Sequence, residues 1–450
     1  MKVEAAVSQH EAEKNNPSNP DSPEAIGQDW GRIYVTRKCC GAANCRNFAP
    51  ELFGEVAPAN ASGADPGPSP ATSVPQILPG SHDEGAFTGV IRQPRSKEEY
   101  LAARTAAAAC GFGAIRLERP SAMLPRAELG SPWREWPRRI EDNVWMVGQP
   151  ATKNYGALTY FIELPGGGVL VDVPQPSKEL FDWLDAHGGV RWMFLSHRDH
   201  VQHHAEFAAR FPGCRRVIGA ADVNKRQNAY ADATNTVEIK LGNGPVPMTL
   251  AGMPIPPEAL INSELAVLPQ PGHTPGSLCL LYRGRFLFTG DHIAYSRRLG
   301  HIIAYRLQCW QDWERQTQSV NQLAAWAEAS QLSLQWLLPG HGELIRVGDD
   351  GTSAVMATEL GRAVEWMRQQ PPGHVPLLRW IPFVLSRAKP RRRFSRLVLA
   401  IGGQARDSWL LPRAARKYLT DYDPIRAAAA LHRLYAFALA AVAAASPVSY

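Results

Sequence analysis

Four short segments of this 450-residue chain each place a metal-competent side chain directly after an apolar run. Phe194-Leu195-Ser196 leads into His197-Arg198-Asp199-His200-Val201-Gln202-His203-His204, and Pro271-Gly272 leads into His273-Thr274-Pro275-Gly276-Ser277. Phe288-Thr289-Gly290 ends at Asp291, and Leu338-Pro339-Gly340 at His341. Imidazole and carboxylate are donors that zinc and iron ions accept. A lone histidine is usually a packing or surface residue. Four donor-bearing loops after apolar strands form a different pattern, because a rigid sheet can gather remote donors at one point. Small neighbours such as Gly272, Gly276, Gly290, Gly340 and Gly342 let backbones crowd a shared centre. An ion held there would lower the pKa of a bound water toward neutrality and stabilise an oxyanion, with Asp199 or His200 placed to shuttle the proton.

A second constellation is built from thiols. Seven cysteines in a large chain make a secreted disulfide framework improbable and point to a reducing compartment. Four of them stand early, as Cys39-Cys40-Gly41-Ala42-Ala43-Asn44-Cys45 and Cys110. Paired C-x2-C knuckles of a structural zinc site are missing from this spacing. Cys214, Cys279 and Cys309 are isolated and read as packing residues.

The elements around these residues divide the chain. Residues 1–29 are polar, without apolar periodicity, and read as a disordered tail. Residues 30–118 form one small unit interrupted by a Pro- and Gly-rich insertion at 54–86, which also reads as disordered. In that unit Arg32-Ile33-Tyr34-Val35 has strand character, and the run from Ala86 to Ile91 is expected to pair beside it. Ser96 and Glu99 predict a capping box opening a helix that runs to Ala109. A linker at 119–137 follows. Residues 138–371 alternate strands with helices near 177–187, 203–211, 312–331 and 355–369, an α/β layered pattern. Residues 372–450 are Ala-rich, with helices expected near 410–419 and 424–445, and carry thirteen Lys/Arg against three Asp.

The ordered set of a strand-end histidine cluster, Gly-His-Thr-Pro-Gly-Ser, Thr-Gly-Asp and Pro-Gly-His-Gly resembles the metallo-β-lactamase superfamily over about half the chain. That resemblance implies an αββα sandwich with one or two metal ions, zinc or iron, at one edge of the paired sheets. It assigns His273 to the first metal, Asp291 as a bridge and His341 to the second. The first segment departs from the family's His-x-His-x-Asp-His. His197 matches its opening position, but Asp199 stands where the second histidine belongs, and His203-His204 lie two residues late. If the extra residues bulge, His204 takes the last position and His203 replaces the aspartate, with His200 a spare donor. A carboxylate at position 199 is similar to the flavodiiron branch and favours iron or manganese over zinc. The Gly-His-Thr-Pro-Gly-Ser segment is similar to the thioester-hydrolysing glyoxalase II branch, though other branches share it.

The early cysteines resemble a single-cluster bacterial-type ferredoxin, an α+β unit. Cys39, Cys45 and Cys110 match the cysteines kept in 3Fe-4S members, while Ala42 stands where a 4Fe-4S ligand would be and Gly111 replaces the usual proline. Both cluster types, and a unit that has lost its cluster, stay open.

Three functions follow: a metal-dependent hydrolase of a small ester, thioester or amide; an iron oxidoreductase fed by an N-terminal cluster through a redox partner; and a degenerate binding protein. The formal charge of +6 comes from the last 79 residues, whose +10 leaves about −4 elsewhere. The Arg391-Arg392-Arg393 run reads as a solvated face rather than a nucleic-acid surface. Arg426 and Arg433 interrupt the C-terminal apolar stretch, so no transmembrane segment is expected, and Glu4, Glu11 and Glu13 argue against a signal peptide. An intracellular, soluble protein is expected, of the cytoplasm or, with an atypical transit segment, an organelle stroma.

Overall fold

The computed structural model describes residues 30–370 except 37–38, 40–42, 56–87, 112, 119–129, 134–135, 224–232, 243, 298 and 348–354. The polar tail, nearly all of the 54–86 insertion, much of the linker, Cys40 and the basic C-terminal extension with its two expected helices lie outside the described residues. No helix among the described residues is long and apolar enough to cross a membrane.

Two sheets form the centre. The first has seven strands in the order β11 (Ile239–Leu241), β10 (Arg215–Gly219), β9 (Val190–Phe194), β8 (Gly168–Val171), β7 (Tyr160–Ile162), β6 (Val144–Met146) and β5 (Arg138–Glu141). The second has five, β12 (Leu265–Pro269), β13 (Leu278–Tyr282), β14 (Phe286–Gly290), β17 (Trp336–Pro339) and β18 (Ile345–Arg346), while β15 (Ala294–Ser296) and β16 (His301–Ile303) pair only with each other. Strand alternation explains the layers. Val169 and Val171 share one apolar core with Leu278, Leu280, Tyr282, Phe286, Phe288 and Leu338, so the two sheets pack face to face. Leu170 and Met193 point the other way, onto Leu180, Leu184 and Phe207. These come from helices α3 (Lys178–Ala186) and α4 (His204–Arg210). On the far side Cys279, Leu281, Leu287 and Leu337 meet Val320, Leu323, Leu360 and Val364, from helices α5 (Trp313–Ala329) and α6 (Met356–Gln369). The layers are therefore helix, sheet, sheet, helix. Each fully buried Val, Leu or Phe contributes ~1.5–3 kcal/mol, against a β-propensity scale spanning only about 1 kcal/mol. Burial on both faces is what holds such short strands.

Strand direction puts the chemistry at one edge. β8, β9 and β10 run parallel, and β14 is parallel to β17. β12 is antiparallel to β13, which is antiparallel to β14, so β12 also shares that direction. Their carboxyl ends deliver the loops that carry the predicted donors.

The N-terminal unit has the order β1 (Ile33–Val35), α1 (Asn44–Phe48), β2 (Phe53–Glu55), β3 (Thr88–Val90), α2 (Lys97–Ala109) and β4 (Ile115–Leu117). The expected partnership of residues 86–91 with 32–35 is corrected. β3 pairs with β2 and β1 with β4, because closing α2 back on the unit brings the last strand beside the first. Ser96 caps α2 as expected, accepting from Glu99 N, but the Glu99 carboxylate accepts from Arg95 N at 2.7 Å and pairs with Arg92. Ile33, Leu52, Phe53, Ala103 and Ala106 belong to the same apolar core as the inner faces of the sandwich.

Candidate metal centre

The loop after β9 turns immediately into a 3-10 helix, Arg198–His200. Residues three apart eclipse in that geometry, so His200 comes over His197, with ring centroids 4.2 Å apart. His273, Asp291 and His341 arrive from the other sheet. Two overlapping groups result, His197-His273-Asp291 and His200-Asp291-His341, with Asp291 common to both. Asp291 Oδ2 lies 3.7 Å from His197 Nε2, 3.8 Å from His273 Nε2 and 3.8 Å from His341 Nε2. Its Oδ1 lies 3.4 Å from His200 Nε2. Asp199 Oδ2 stands 3.9 Å from His197 Nε2. Gly340 makes the approach feasible, since a Cβ there would sit 2.7 Å from His200 Cε1 and 3.0 Å from Asp291 Oδ1.

The expected ligands His203 and His204 are not brought to this cluster, and their assignment is corrected. His203, at φ 73°, turns its Nδ1 to Glu206 at 2.7 Å. His204 lies on α4 with its Nδ1 accepting from Arg216 Nη1 at 2.9 Å, and Arg216 is also paired with Glu238. The tight turn places the second imidazole at 200, so the longer segment needs no bulge. His200, expected as a proton shuttle or spare donor, sits among the donors instead. The His197-x-x-His200 spacing was the available signal.

Outer residues absent from the expectations fix the imidazoles. Asp172, left-handed at the end of β8 with φ 57°, accepts from His200 Nδ1 at 2.9 Å, from Ser196 Oγ at 2.8 Å and from Ser196 N at 2.8 Å. Ser196 Oγ in turn accepts from His197 Nδ1 at 3.0 Å. A carboxylate can only accept, so both histidines carry hydrogen on Nδ1 and turn Nε2 toward Asp291. Asp222, fully buried after β10, ties the other loops together. It accepts from Gly276 N at 2.9 Å, Thr274 Oγ1 at 2.6 Å and Arg198 N at 3.0 Å. Gly276 is required for that approach, since a Cβ would meet Asp222 Cβ at 2.7 Å.

The electrostatics suit a cation. Burial holds His197 well below the usual imidazole range, takes His273 down to about 4 and lowers His341. These lone pairs are free of protons. Burial resists the charge of Asp291, but the neighbouring His200 above all holds its carboxyl well below the usual range. Burial likewise opposes charge on His200, yet Asp291 and Asp172 raise it to about 10. Asp199 is pushed up to about 6 by burial. His197 Nε2 and His273 Nε2 are buried without a hydrogen-bond partner, an arrangement that is costly unless another group satisfies them. His200 Nε2 and His341 Nε2 face each other at 3.3 Å. Two ligands on a tetrahedral ion with bonds of about 2.0–2.1 Å stand about 3.3–3.4 Å apart.

Among the described residues Cys39, Cys45 and Cys110 do not form a group of ligand atoms close enough to share a single metal ion. Burial pushes the Cys45 thiol up to about 12, aided by Cys39 and then Cys110 nearby. Ala114 N donates to Cys110 Sγ at 3.2 Å, and Cys45 Sγ donates to Thr88 Oγ1 at 3.5 Å.

No protein-family model matches the sequence, and no curated protein matches it. Among solved structures the chain is similar to DIM-1 metallo-β-lactamase, at 15% identity and TM-score 0.36 over 51% of this chain and 96% of that one. A metallo-β-lactamase from Pontibacter korlensis gives 16% identity and TM-score 0.36, over 52% and 98%. The mono-zinc form of FIM-1 metallo-β-lactamase from Pseudomonas aeruginosa gives 17% and 0.35, over 52% and 96%.

Proposed function

We propose that the chain is a metal-dependent hydrolase holding two ions, zinc or iron, at the edge of its sandwich and acting on a small ester, thioester or amide. The observation that carries this reading is the shared carboxylate. Asp291 serves two groups of buried, proton-free or proton-exchangeable imidazoles at once, and such sharing has little use in a core that only needs to pack. His197, His273 and Asp291 hold one ion, with Asp199 beside them; His200, His341 and Asp291 hold the other. When bound, such ions supply a water with lowered pKa and stabilise developing negative charge on the attacked carbonyl oxygen.

The chain's own groups do the rest. Asp199, beside His197 with 19% of its side chain accessible, would take a proton from the attacking water and return it to the leaving group. Asp172 and Ser196 hold His200 and His197 in the tautomer that faces the ions, and the close burial of all five donors keeps bulk water away. The test is elemental analysis of the purified chain, with hydrolysis assays on thioester, ester and amide probes. About two ions per chain, and loss of both metal and hydrolysis in His273→Ala, support the reading. A wild-type chain that binds neither zinc nor iron defeats it.

We infer that Cys39, Cys45 and Cys110 hold a 3Fe-4S cluster. This reading is supported by the Ala114 amide already directed at Cys110 Sγ, a contact suited to cluster sulfur. A brown preparation with a broad visible absorbance that Cys45→Ser removes supports the cluster. Colourless, iron-free protein from anaerobic purification rules it out.

A further inference from the structure

His341 and His273 differ from the other two histidines with which they share Asp291. His200 is tethered at Nδ1 by Asp172 and His197 by Ser196, whereas Nδ1 of His341 and of His273 is buried with no hydrogen-bond partner; the His273 loop is fixed instead by Asp222, through Thr274 Oγ1 and Gly276 N. A metal-bound histidine ordinarily donates its second nitrogen to a group that sets the ring. For His341 the backbone must do this. β17 and β18 pair only at Trp336–Arg346 and Leu337–Ile345; beyond β17 the sandwich holds the loop at Gly340 N, which donates to Gly290 O at 2.7 Å, and at Glu343 O, which accepts from Tyr295 N at 3.3 Å, and it leaves Gly342 O and Leu344 N to other partners.

Those two groups are taken by the N-terminal unit. Asn47, on α1, donates from Nδ2 to Gly342 O at 2.8 Å and accepts at Oδ1 from Leu344 N at 3.2 Å. One carboxamide thus satisfies a carbonyl and an amide two residues apart, as a neighbouring strand would. Arg46, the preceding residue, pairs with Glu343 at 3.3 Å, each side chain only 4% exposed. Glu343 also accepts from Arg297 N at 3.2 Å. Asn44, at the start of the helix, donates to Gly156 O, in the loop whose Leu158 N donates to Gly340 O at 2.7 Å. The five-residue helix that carries Cys45 therefore grips both sides of the His341 loop.

We propose that Asn47, assisted by Arg46, is a positioning residue for His341, so that the N-terminal unit completes the second metal position of the sandwich. The proposal rests on the two-ion reading above. It makes the cysteine unit an integral part of the centre, because α1 cannot shift around Cys45 without releasing the peptide groups at 342 and 344.

Zinc alone is the probe, titrated against a chromophoric chelator with the full chain. Wild type takes up two ions. Asn47→Ala and Arg46→Met each keep the first ion at unchanged affinity and weaken the second by at least tenfold, the lower end of what losing an outer partner of a ligand costs. Ser96→Ala is the control, since it loosens α2 of the same unit without touching the loop, and it retains both ions. Equal zinc binding by wild type and Asn47→Ala overturns the inference while leaving the hydrolase reading intact. Loss of the second ion in Ser96→Ala as well overturns it too, because general loosening of the unit would then suffice. A wild-type chain without zinc or iron removes the hydrolase reading and, with it, this one.

Discussion

The two halves of the metal centre are anchored from different places. His197 and His273 are held by residues internal to the sandwich: Ser196 beside the first, and Asp222 through Thr274 and Gly276 around the second. Their partners His200 and His341 divide the task unequally. His200 has the Asp172 carboxylate, while the loop of His341 is gripped by α1. One half could form from the sandwich alone. The other, by the proposal above, is completed by the N-terminal segment, whose apolar core is continuous with that of the sandwich.

The strongest way to break this contrast is to remove what the halves share. Asp291→Asn leaves shape but not charge, and it is expected to weaken both ions by more than about a hundredfold, the most that an outer-sphere loss alone costs; metal content after dialysis against a weak chelator checks it. If one ion survives unaffected, Asp291 does not bridge.

A sharper distinction comes from the two outer carboxylates. Asp172→Asn is expected to lower affinity by about 10–100-fold at the His200 half, with a smaller loss at His197 through Ser196, and Asp222→Asn by a similar factor at the His197 and His273 half. Cobalt substitution followed by visible titration resolves the two steps. Equal effects on both steps from either variant would erase the asymmetry.

Per pH unit the expected effect is the smallest, and it separates the halves by proton uptake. His200 is raised from 6.5 to about 10 by Asp291 and Asp172 against its burial. Its stabilising charge is fully present below pH 6.5 and lost as pH rises through about 10. That proton competes with an ion, so at pH 7 binding at the His200 half should release about one proton, and affinity there should climb about tenfold per pH unit toward 10. His273, down at about 4, adds no such slope at the other half. Calorimetry in buffers of differing ionisation enthalpy reads the proton count. A zero count would mean that His200 is neutral before the ion arrives.

Much of the sandwich could be read from alternation alone. Val169 to Val171 and Leu278 to Tyr282 are buried on both faces, and their hydrophobic runs bounded by glycine and proline announce it. His273, Asp291 and His341 were legible because each stands one to four residues past such a run, where a strand-end loop has little freedom. The choice among His197, His200, His203 and His204 was not. It turned on three residues adopting a 3-10 turn, whose hydrogen bonds leave no periodic trace in composition. The pairing of residues 88–90 was equally opaque, since several short strands of similar propensity compete and only closure of the unit decides among them.

What the order of residues determined by itself was the supply of donors and their delivery to strand ends, because burial periodicity and turn chemistry act over a few neighbours. Tertiary structure alone decided which donors meet and what steadies them. Asp172 and Asp222 look like ordinary strand-end acids until parallel strands bring them beside the histidine loops. Asn47 looks like a surface amide until the core draws its helix onto residues 342 and 344. Such contacts join positions tens to hundreds of residues apart, and their energies exist only once the sheets have packed.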